Sequence, residues 1–206
     1  MKYKSLFHLR DSKFVVLLAL ALLIACCTRT QPVTYYQLST LDADQTVVDT
    51  SAIGDSVIGV GPIRLPERLD RPQIVTRQSS NRLQLSDRHR WVEPLAENIP
   101  RVLRENLSVL LGTERFLFYP WSRTVSVGYQ LIIDVIRFEG TGYETAHLKA
   151  IWSIQDREGK VLLSQRRSNY QVTTTSPDHD GLVSALSETL SLLCQEIVQE
   201  LSQMLS

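Results

Sequence analysis

Cysteine, histidine and methionine are scarce in this chain, with three, four and two copies in 206 residues. Three cysteines, two of them adjacent at positions 26 and 27, cannot build a disulfide scaffold. His8, His89, His147 and His179 lie far apart, and none has metal-ligand spacing from a cysteine or another histidine. The sequence has no Gly-x-Ser-x-Gly elbow and no P-loop. It also lacks a dinucleotide fingerprint, because Gly59-Val60-Gly61 runs into Pro62 without a third glycine. An excess of either charge is missing as well. The 22 basic and 22 acidic residues cancel, leaving no electrostatic reason to seek nucleic acid. These absences predict a protein that is not an enzyme and needs neither metal nor cofactor.

Long hydrophobic runs are missing too. The longest is Phe14 to Ala25, preceded by Lys2, Lys4, His8, Arg10 and Lys13. At about 1.5 Å per residue it spans roughly 18 Å, short of the roughly 30 Å hydrocarbon layer, so it reads as a signal-peptide core. Leu23, Ile24, Ala25 and Cys26 resemble the bacterial lipobox, in which the cysteine is acylated, with palmitate among its chains, and becomes the new N-terminus. Cys27 is the alternative acceptor. Two or more acyl chains hold a protein firmly to a membrane. Position 27 is not the aspartate that commonly retains lipoproteins in the inner membrane, which favours the outer membrane, facing the periplasm. Cys194 lies on an apolar helix face and reads as a small hydrophobe, with a bond to Cys27 as the lesser alternative.

The expected division is a signal peptide over 1–25, a lipidated N-terminus and tether over 26–32, and one periplasmic domain over 33–206. Without the first 25 residues, 18 basic residues face 21 acidic ones. Strand composition marks 33–38, 56–60, 73–77, 81–85, 115–119, 128–138, 146–156 and 160–172. The proline-bearing stretch 61–72 reads as a stiff surface excursion, and Glu139 to Tyr143 as a turn. Val92, Leu95, Ile99, Val102, Leu103, Leu107 and Leu110 give a helix ending at Gly112, with a kink at Pro100 or a second start near Asn98. Leu182, Leu186, Leu190, Leu193, Ile197, Leu201 and Met204 give a second helix, capped by Asp180, with Ser187 and Ser191 among its outward residues. Elements in this order predict an α+β fold, a largely antiparallel sheet with two helices packed on one side.

Two stretches are distinctive. One is Val60-Gly61-Pro62-Ile63-Arg64-Leu65-Pro66 with Leu69-Asp70-Arg71-Pro72-Gln73-Ile74-Val75-Thr76-Arg77. The other is Arg90-Trp91-Val92-Glu93-Pro94-Leu95 with Arg101-Val102-Leu103 and Asn106-Leu107. Together with Tyr35-Tyr36-Gln37-Leu38 and Tyr119-Pro120-Trp121, they resemble the PqiC/YmbA lipoproteins, the ABC-type transport auxiliary lipoproteins.

The resemblance implies an outer-membrane lipoprotein serving as accessory subunit of an MCE-type intermembrane lipid transport system in membrane integrity. Its implied partners are an MCE-domain (PqiB-like) protein and that protein's inner-membrane partner, and a homo-oligomeric ring is a further implication. Asp70, Arg71, Arg90, Trp91 and Glu93 fall in the matching motifs, where they form either a docking surface or a structural brace with a hydrophobic lead-in to the helix. The rival functions are a periplasmic lipid carrier or chaperone, which requires an apolar cavity of about 300 Å³ or more, and a lipoprotein regulator of an envelope enzyme.

Overall fold

Strand β6 (Tyr129–Thr141) is the spine on which the sheet is built. One edge pairs antiparallel along its length with β7 (Thr145–Asp156), which pairs antiparallel with β8 (Val161–Thr173). The other edge is shared by two parallel neighbours. Strand β2 (Ile58–Arg64) takes its first half, and β3 (Gln73–Ser79) joins only at Gly140 and Thr141. Outside β2 lies β5 (Phe116–Phe118), in parallel. Outside β3 lies β4 (Arg82–Trp91), antiparallel, and beyond it β1 (Thr34–Tyr36), parallel to β4. The computed structural model describes residues 31–42, 56–122 and 124–205, and Val33–Ser206 form one compact unit. Cys26 and Cys27 lie outside the described residues.

The sheet is mixed rather than largely antiparallel, since four of its seven pairings are parallel. Short turns join β3 to β4, β6 to β7 and β7 to β8, and these pairs are antiparallel as hairpins must be. The parallel pairs join strands separated by a helix or a long connection, which frees the second strand to run either way.

Helix α1 (Leu95–Leu111) packs against β2 and β5, and α2 (His179–Leu205) against β6, β7 and β8. The helices also contact each other, so the core lies between this helical layer and the sheet. By length and composition α2 could cross a bilayer, yet most of its surface is buried here. Its stripe, Leu182, Leu186, Leu190, Leu193, Ile197 and Leu201, is at most 2 % exposed and meets Leu148, Ala150, Trp152 and Ile154 in one core. Cys194 is buried and free, and burial pushes its thiol far above the usual range.

Several local expectations change. Pro62 to Arg64 continue β2, and Leu69 plugs the core, because the prolines stiffen a segment that still carries an apolar anchor. Glu139 to Thr141 belong to β6, and the turn falls at Gly142 to Glu144. Pro100 sits inside a single helix, which begins at Leu95 behind Pro94 and leaves Val92 outside the apolar stripe, exposed. At the start of α2 it is Asp178, not Asp180, whose carboxylate accepts the Gly181 N–H at 2.8 Å. That bond, then one from Ser176, holds its carboxyl below the usual range. Gly112 does end α1 in the left-handed region, at φ 59°.

Candidate functional site: a groove at the start of helix α1

The loop between β2 and β3 turns on Pro66, whose carbonyl accepts the Leu69 N–H at 2.8 Å. This turn sends Leu69 inward and leaves Asp70, Arg71 and Pro72 at the surface beside the end of β4. There the Trp91 N–H donates to the Pro72 carbonyl at 2.7 Å, and the Val92 N–H donates to the Tyr36 carbonyl at 2.8 Å. Three segments distant in sequence are thus stapled to one junction. Pro94 then opens α1 as its N-cap, with no side chain capping the helix.

Between these segments lies a groove of about 370 Å³ lined by Asp70, Arg71, Pro72, Trp91, Val92, Glu93 and Pro94. Trp91 is buried at 5 % exposure, whereas Val92 is 58 % exposed. Four of the five motif residues singled out above therefore meet in one place. Arg90 does not line the groove, and its Nε donates to the Asp87 carbonyl at 3.3 Å. Backbone bonds and Leu69 brace the loop. Arg71 contributes no side-chain bond to that bracing through Nε, which is buried without an acceptor.

Arg101 organises the acidic side of the groove. Its Nε donates to Glu93 Oε1 at 3.2 Å, and its other nitrogens reach Asn98, Glu105 and the Leu38 carbonyl at 3.1 to 3.5 Å. Gln37 also donates to Glu93, at 3.5 Å. Arg101 stood in the distinctive sequence motif but was not singled out as a site residue. Its spacing from Glu93, two helical turns, is the signal that could have found it.

Residues 64–90 carry seven arginines, and several of them are engaged locally. Arg64 pairs with Asp134 at 2.8 Å, Arg77 with Glu139 at 2.5 Å, and Arg68 donates to the Ile136 carbonyl at 2.5 Å. Glu139, fully buried, also pairs with Arg137 at 3.1 Å.

A second polar cluster brings together residues that sequence spacing kept apart. His89 on β4 and His179 on α2 stack with ring centroids 3.6 Å apart and planes 5° from parallel. The Tyr36 hydroxyl lies 3.0 Å from His89 Nδ1, and the Tyr143 hydroxyl 3.3 Å from His179 Nε2. Burial, and then His89, lower the His179 pKa to about 4 against the pull of Asp178 and Asp180. Among the described residues, no group of three or more His, Cys, Asp or Glu is placed to hold a metal ion.

With this geometry in hand, the comparisons with known proteins place the chain. A family model for the ABC-type transport auxiliary lipoprotein component matches residues 36–198, from β1 almost to the end of α2. The chain belongs to the ABC-type transport auxiliary lipoprotein family. The match to this family includes every residue of the groove. Among solved structures, the chain is similar to an uncharacterized protein at TM-score 0.67 and 17 % identity, covering 82 % of this chain and 99 % of that one. It is also similar to protein XCC0632 from Xanthomonas campestris, at TM-score 0.65 and 17 % identity, covering 80 % and 92 %. These likenesses establish a shared fold for the auxiliary lipoprotein. A search of curated proteins gives no match.

Proposed function

We propose that this auxiliary lipoprotein is an outer-membrane accessory subunit of an MCE-type intermembrane lipid transport system. Acylated on Cys26, it faces the periplasm and docks the distal end of the lipid conduit through the groove at the start of α1. It assembles as a ring and turns over no substrate itself. The single observation that carries this reading is the convergence of Asp70, Arg71, Trp91 and Glu93, from two separate motifs, on one groove whose rim carries an exposed valine. The adaptor reading is favoured over a lipid carrier because the layer between α2 and the sheet is filled by Leu148, Trp152, Ile154, Leu190 and Leu193, all at most 1 % exposed.

The test is co-purification from membranes with the MCE protein encoded in the same genome. Val92→Asp puts a charge at an exposed position, so the fold should tolerate it, and the expected result is loss of the MCE protein from the purified complex. Undiminished recovery of that protein with Val92→Asp would remove the groove from the docking surface.

A further inference from the structure

We propose that the groove receives a carboxylate carried on an otherwise apolar segment of a partner protein, with Arg71 as its counter-charge. The proposal rests on the docking reading above and adds the chemistry of the occupant. Arg71 lines the groove, yet its buried Nε–H has no acceptor, and among the described residues no carboxylate pairs with its guanidinium. Arg68 and Arg90 also pair with no carboxylate among the described residues, but each donates to a backbone carbonyl, whereas the buried Arg71 Nε–H does not. A buried N–H without a partner is costly and rare in native proteins, and an incoming oxygen relieves that cost.

The rest of the groove fits the same ligand. Pro72, Val92 and Pro94 add apolar lining beside Trp91. Glu93 is already held by Arg101 and Gln37, so its charge is partly spent. Pro94 starts a helix of 17 residues without a side-chain cap, which adds partial positive charge on this side. A phospholipid headgroup has the same anionic chemistry, but a phosphatidylglycerol headgroup brings no N–H donor to set against the carboxylates of Asp70 and Glu93. The same two carboxylates can accept backbone N–H groups of a peptide.

The experiment follows the Arg71 Nε–H and Trp91 indole N–H resonances of the ¹⁵N-labelled mature lipoprotein in detergent micelles. The probes are N-acetyl-Leu-Glu-amide, its uncharged counterpart N-acetyl-Leu-Gln-amide, inorganic phosphate and dihexanoylphosphatidylglycerol. The acidic dipeptide is expected to shift both resonances saturably, binding roughly five-fold or more tighter than the uncharged one. Arg71→Gln should abolish that preference, read from the indole signal, without lowering the melting temperature. Equal binding of the two dipeptides, no shift at any soluble concentration, or tighter binding of phosphate or phosphatidylglycerol would each overturn the proposal. If the dipeptides bind alike while Val92→Asp still loses the MCE protein, the counter-charge role fails and docking stands. If Val92→Asp keeps that protein, docking itself fails.

Discussion

Ser191 and Leu193 stand two positions apart on α2, and both are buried. Leu193→Ala should cost about 2 to 5 kcal/mol through lost transfer energy and a cavity. The serine is the more instructive of the two. Its alternation with the apolar stripe marks it as outward-facing, where truncation would cost less than about 0.5 kcal/mol. Instead its hydroxyl accepts from Asn106 Nδ2 at 3.3 Å across the contact with α1, and Asn106 is fully buried. Ser191→Ala leaves that amide unpaired and should cost about 1 to 2 kcal/mol. Chemical-denaturation midpoints of the two variants check both figures, and a neutral Ser191→Ala would show that the Asn106 amide finds another acceptor. The stripe was legible in sequence because apolar spacing reports one buried face. Ser187 and Ser191 were misread because a short polar side chain looks alike in water and in a close helix contact.

At the scale of elements, the strands and both helices were legible, since each is written in local periodicity and turn residues. The Gly112 cap and the β7–β8 hairpin are examples. The parallel pairings were not legible, because nothing in β2 or β5 records which neighbour it will meet. The histidine stack was hidden for the same reason, joining β4 to the start of α2 across 90 residues. That junction has a pH signature. The folded-state pKa of His179, about 4, lies below the ordinary 6.5, so the fold holds the neutral form. Stability from this source is complete above about pH 6.5 and is lost as the pH falls toward 4, because the unfolded chain takes up the proton first. His147, whose pKa is lowered first by burial and then by Arg137, acts with the same sign. For His179 the loss is on the order of 2 kcal/mol once partial solvent screening is allowed for. Thermal melts between pH 7 and 4 should show a shallower decline for His179→Gln than for the natural chain, and parallel curves would assign the decline to other groups.

For the whole molecule, the groove was half legible. Its motif residues could be named from sequence. That Asp70 and Glu93 share one cavity, while Arg90 turns away, depends on how Leu69 and the Pro72 carbonyl fold the loop back onto β4. Attachment is the molecular-scale prediction. Cys26→Ser should abolish incorporation of a palmitate analogue and release the protein from the membrane fraction, while Cys27→Ser retains both. Label persisting on the Cys26→Ser protein would move the acceptor to Cys27.

Strand β1 enters the fold by only three residues, yet it is where any pull from the N-terminal side arrives. Traction at Val33 loads first the short ladder to β4 and the bond from Val92 to the Tyr36 carbonyl. Behind it stands a firmer stop. Leu38 is buried at 2 % exposure, Ser39 donates to Ser187 at 3.1 Å, and Leu41 to Asn106 at 2.8 Å, fastening this stretch to both helices. The N-terminal segment is therefore built as a fuse ahead of a bolt. A pull on this segment is expected to strip β1 from β4 before it reaches the contacts of Leu38, Ser39 and Leu41 with the helices, so the core stays closed while the chain ahead of it lengthens.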